Sequence, residues 1–125
     1  MIIRGNEYGF SMTVGASVQI AKICPNNDIK KLAALLRENK DDYIKTIEIM
    51  TVIMKAMNGG YVAGEELKGK KANRLTDDII FSLTTDEFQS VQKETLSIFK
   101  GEGSGEVDAE PVPTKGKKDN TEAKE

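Results

Sequence analysis

Few residues in this chain are able to do covalent or metal chemistry. Its 125 residues include no histidine and a single cysteine, Cys24. Without an imidazole there is no Ser-His-Asp or Cys-His nucleophile, and the commonest metal ligand is missing. One thiol cannot complete a structural zinc set or an intrachain disulfide. Cys24 falls at the end of an apolar helical stretch, where cysteine behaves as a small hydrophobe. No catalytic, cofactor or metal residues are assigned, and an enzyme is the least supported class.

Two patterns imitate chemistry. The run Gly64-Glu65-Glu66-Leu67-Lys68-Gly69-Lys70 has the glycine and lysine spacing of a phosphate-binding loop. The next residue should be a magnesium-binding Ser or Thr and is Lys71. The preceding Gly59-Gly60-Tyr61-Val62-Ala63 is too short and glycine-rich for the required strand, and two glutamates would repel a phosphate. The acidic pairs Asp41/Asp42, Glu65/Glu66 and Asp77/Asp78 lack the alternating oxygen ligands of a calcium loop. Two of these pairs stand where helices begin, and the helix dipole accounts for carboxylates there.

The elements around these residues are mostly helical. Met1 to Phe10 reads as a small β-hairpin turning at Gly5-Asn6, residues that accept the positive φ of tight turns. Thr13 to Cys24 reads as a first helix with Val14, Val18 and Ala21 along one stripe and Ile20, Ile23 and Cys24 beside it. Pro25 ends it. Asn26 or Asn27 is expected to cap a second helix whose apolar face is Ile29, Leu32, Leu35 and Leu36. Its Lys30, Lys31 and Arg37 read as a solvated face, since a DNA-recognition helix needs several base-reading residues as well.

Asp41 or Asp42 starts the longest helix, expected to end near Asn58-Gly59-Gly60. Tyr43, Ile47, Met50, Met54 and Met57 recur along it at helical spacing. Ile44, Ile49, Val52, Ile53 and Ala56 widen the apolar arc beyond one stripe, as in a helix that is buried or lies at an interface. The central core helix is the first reading. A second makes Tyr43, Ile47, Met50, Met54 and Met57 an adaptable partner-binding face, because methionine repacks readily. Gly59 to Asn73 is expected to be a long loop able to open or close over that face. Thr76 then caps a short helix with Ile79, Ile80, Phe81 and Leu83. A capping box at Thr84 and Glu87 starts the last helix, with Phe88, Val91, Leu96, Ile98 and Phe99.

At Gly101 the pattern stops. The segment 101–125 contains no aromatic residue and no Leu, Ile or Met. Such a stretch buries too little to offset its ordering entropy and is expected to be disordered. It carries seven acidic and four basic residues, a net of −3, which leaves residues 1–100 at +1. A nearly neutral body lacks the basic excess of nucleic-acid binders. Aromatics are 6% of the chain, so aliphatic side chains must fill the core. The expected architecture is mainly α: a helical body over residues 1–100 with an N-terminal hairpin, and a charged tail over 101–125. No apolar run reaches bilayer length and the start lacks a secretory pattern, so a cytoplasmic protein is expected, with no membrane partner.

The order of these segments resembles a known family. IRGNEYGF leads into SMTVGASVQIAKICP, then the capped NDIKKL helix, a long aliphatic helix, a glycine-rich stretch and LTDDIIFSLTTDEFQSVQKE. This is similar to the small tail assembly chaperones of long-tailed bacteriophages and prophages of Gram-positive hosts. The resemblance implies a non-catalytic chaperone in the host cytoplasm, absent from the mature virion. Its partners would be the tape measure protein, which it keeps soluble, and tail tube subunits recruited around it. Some members are made in two lengths by ribosomal frameshifting. Self-association stays open. The alternatives are a small helical regulatory or nucleic-acid-binding protein and a structural head–tail connector.

Overall fold

The computed structural model describes residues 1–100. The disordered-tail expectation and the helix stop at Gly101 lie outside the described residues. The described part is mainly α, with a short antiparallel hairpin followed by five helices.

The hairpin joins β1 (Ile2–Ile3) to β2 (Asn6–Glu7), with Ile2 opposite Glu7 and Ile3 opposite Asn6. Its turn is Arg4-Gly5, at φ 51° and 86°, one residue earlier than expected. Two consecutive positive φ values suit the right-handed twist of the flanking strands. The Tyr8 N–H donates to the Met1 carbonyl and extends the ladder. Ile3, Tyr8 and Phe10 then enter the core.

Helix α1 (Val14–Ala21) is capped by Thr13, whose hydroxyl accepts from the Ala16 N–H. The expected Val14–Val18–Ala21 stripe is not the inward one. Val14 and Val18 are exposed, and the core takes Ala16, Ile20 and Cys24 instead. Those three are spaced by four along one side of the segment. After Pro25, Asn26 and Asn27 both adopt left-handed backbone, at φ 58° and 55°. They reverse the chain and do not cap the next helix. Asp28 caps instead, accepting from the Lys30 N–H at the start of a 3₁₀ turn that runs into α2 (Leu32–Glu38). Leu32 and Ala33 are buried there, with Ile29, Leu35 and Leu36 half-buried around them.

The main departure is α3, which spans Tyr43–Leu67. Asp42 caps it, accepting from the Lys45 N–H. It runs straight through Gly59-Gly60, so the first part of the expected Gly59–Asn73 loop is helix. Each interior glycine weakens a helix by about 0.5–1 kcal/mol relative to alanine. Two packing facts offset this: Val62 beyond the glycines is fully buried, and Gly60 lies so close to Thr13 that a Cβ would overlap its side chain. The helix stops at Gly69, φ 81°. There the Gly69 N–H donates to the Glu66 carbonyl and the Lys70 N–H to the Glu65 carbonyl, satisfying end carbonyls in a Schellman arrangement.

Helix α3 packs mainly against α1 and then against α5. Helix α4 (Asp77–Ser82) is capped by Thr76, and α5 (Thr85–Ile98) begins with the expected Thr84–Glu87 capping box. Phe88, Val91 and Phe99 bury the inward face of the last helix and its end. Thr95 shares that face, its hydroxyl donating to the Val91 carbonyl at 2.6 Å.

Candidate binding surface

The five residues singled out along α3 form one stripe with two different fates. Asp42 fixes where α3 begins, so Tyr43 falls in its first, outermost turn and is 69% exposed. Ile47, one turn on, is half-buried. Met50, Met54 and Met57 are fully buried in the central cluster with Ile20, Leu32, Ile53 and Val91. This corrects the reading of the three methionines as an open partner-binding face. They are core, because a helix apolar over so much of its circumference is covered from several sides. Ile44 adds to the open end at 70% exposed, so Tyr43, Ile44 and half-buried Ile47 make a small apolar surface that continues inward as the methionine row.

Other exposed apolar side chains were not anticipated. Val14 and Val18 share the outer face of α1, Leu67 ends α3, Phe81 on α4 is 92% exposed, and Ile2 stands on the outside of the hairpin. Helical spacing alone identified an apolar stripe at Val14 and Val18. It carried no information on which side the rest of the molecule lies.

The buried polar groups are accounted for by structure. Asn58, on α3 between Met57 and Gly59, is 2% exposed. Its amide nitrogen donates to the Gly9 carbonyl at 3.0 Å and the Asn73 carbonyl at 3.2 Å. Its oxygen accepts from the Leu75 N–H at 2.7 Å. One side chain thus holds the segment before α1 and the segment after α3 against the central helix. Asn73 in turn donates to the Glu7 carbonyl, and the Ser11 N–H donates to the Met57 carbonyl.

A second node lies at the surface. The Arg4 guanidinium donates to the Ser82 hydroxyl at 2.7 Å, the Ser82 carbonyl at 2.6 Å and the Glu87 carboxylate at 2.7 Å. The same Glu87 oxygen accepts from the Thr84 N–H in the capping box. The Arg4 hydrogen bond, with the Thr84 N–H adding to it, holds the Glu87 carboxyl below its ordinary pKa. The hairpin turn, the end of α4 and the start of α5 therefore meet at one side chain.

Cys24 is buried, and its thiol donates to the Ile20 carbonyl at 3.4 Å. Burial raises its pKa, and nearby Asp28 raises it further. Both effects disfavour the thiolate, the reactive form. The phosphate-loop look-alike is split between the last turn of α3 and the loop after it. Among the described residues, no group of three or more His, Cys, Asp or Glu side chains is placed to hold a metal ion. No described helix is long and apolar enough to cross a membrane.

Compared with family models, with curated proteins and with solved structures, the chain matches none.

Proposed function

We propose that this protein is a non-catalytic binding protein for apolar helical segments, and that it serves as a tail assembly chaperone of a long-tailed phage. The observation that carries the binding reading is the α3 stripe, which emerges from the core into solvent at Tyr43, Ile44 and Ile47. An exposed apolar surface of one tyrosine and two isoleucines suits an apolar partner surface. Helix-in-groove recognition uses anchors at the same three- and four-residue spacing. The inventory of reactive groups supports a non-catalytic role: the one thiol is buried and its pKa is raised, which disfavours the reactive thiolate.

The more specific assignment rests on the segment-order resemblance. In it, the tape measure protein is the client, tail tube subunits are recruited onto the complex, and the chaperone works in the host cytoplasm and leaves before the virion is complete. Co-expression with the tape measure protein of the same genome tests it. The client should stay soluble and co-purify, and Tyr43→Asp with Ile44→Asp should abolish both effects while leaving circular dichroism unchanged. A tape measure protein equally soluble without this chain would refute the chaperone role.

A further inference from the structure

Helix α4 is the least anchored helix of the described fold. None of its six residues is buried, whereas α1, α2, α3 and α5 each bury at least two. Ile79 and Ile80, with Leu83 just beyond the helix, lie half-buried against the core. The other attachments are superficial. Asp77 accepts from Lys55 Nζ of α3 at 2.5 Å, and Ser82 is held by Arg4. The exposed Lys55–Asp77 ion pair adds little to stability. In the connection from α3, residues 68–76, Leu75 alone is buried, and its N–H is held by Asn58. Lifting α4 would uncover the part of the core surface that Ile79, Ile80 and Leu83 now cover, and leave the packing of α1 and α5 on α3 in place.

We propose that α4 is a displaceable strap, and that the seat beneath it receives a short amphipathic helix from a partner protein. The seat's present occupant states the chemistry of the guest. The guest carries an acidic residue in its first turn to meet Lys55, and aliphatic residues two, three and six positions later, as Ile79, Ile80 and Leu83 follow Asp77. Lys55 is the cation that gives the seat its polarity and so its preference for one helix direction. This inference rests on the binding-protein reading above and specifies the partner's chemistry.

Two measurements on the full chain test it. Hydrogen exchange should show residues 77–83 exchanging well ahead of residues 49–58 and 88–96, by about tenfold or more, as expected for a local opening. Arg4→Ala should accelerate residues 77–83 further without changing the rates of residues 49–58 in α3. A labelled peptide of residues 74–84, RLTDDIIFSLT, should bind the full chain, and bind Arg4→Ala several-fold tighter. A peptide with Ile79 and Ile80 replaced by Ser should not bind. Where Arg4→Ala loses its circular dichroism, Asp77→Asn loosens the other end of the strap and carries the same expectations. Exchange of 77–83 in step with α3, or equal binding of the two peptides, overturns the proposal. A concentration-dependent dimer that excludes the peptide gives the seat to a second copy of this chain and overturns the partner assignment. Peptide binding without co-purification of the tape measure protein supports the strap while refuting the tail-assembly role.

Discussion

Asn58 is the single residue on which the connections between elements most depend. Replacing it by alanine leaves the Gly9 and Asn73 carbonyls and the buried Leu75 N–H without their partner. A buried polar group left unpaired costs about 1–3 kcal/mol. Asn58→Ala should therefore lower the urea midpoint by that loss divided by the slope, with little change in the slope itself. Glu87 offers a test at the surface. Its carboxyl pKa is depressed in the folded protein, chiefly by Arg4. The stability it contributes is thus fully present above the ordinary carboxylate range and is lost as pH falls through the lowered value. A side-chain NMR titration should place Glu87 below the ordinary glutamate value, and Arg4→Ala should move it back toward that value.

At the scale of elements, the glycines of α3 separate packing from propensity. Gly60→Ala should destabilise the fold by about 1–3 kcal/mol, the usual cost of forcing extra volume into a packed contact, because its Cβ overlaps Thr13, the cap of α1. Gly59→Ala and Gly64→Ala meet open space. Each should stabilise the protein by about 0.4–1 kcal/mol through the unfolded chain. Thermal melts of the three variants decide this. The same glycines explain where sequence reading succeeded. Three caps were legible, Asp42 as one of two candidates, Thr76 and the Thr84–Glu87 box, since they act through bonds within three residues, whereas the cap before α2 is Asp28 and not Asn26 or Asn27. The extent of α3 was not, because what carries it past Gly60 is contact with Thr13, nearly fifty positions away. The inward face of α1 was missed for a related reason: Val14 and Val18 match a helical period as well as Ala16 and Ile20 do. The methionine row was visible as a stripe, and its burial depended on neighbours that periodicity does not name.

For the whole molecule, the described fold closes with Phe99, which is fully buried, two residues before the composition changes at Gly101. Residues 101–125 contain no Leu, Ile, Met or aromatic side chain to add to that core. A chain ending at Lys100 should keep the melting temperature and denaturant midpoint of the full-length protein. A large drop in either would move the domain boundary past Gly101. Its charge should shift from −2 to +1, so the truncated protein should run at a higher isoelectric point, and that measurement checks that the right segment was removed.

The Arg4 node also bears on how the protein is made. Arg4 is made before its partners Ser82 and Glu87, which lie 78 and 83 positions later in the chain. Two strands alone are marginal in water, so the hairpin has no durable place until nearly the whole body has emerged. During synthesis at roughly 5–20 residues per second the hairpin therefore waits several seconds, with Ile3, Tyr8 and Phe10 lacking their final cover. Nascent chains arrested before Glu87 should leave these three residues open to protease. Chains arrested far enough beyond it should protect them, and the step between the two lengths would mark when the fold closes.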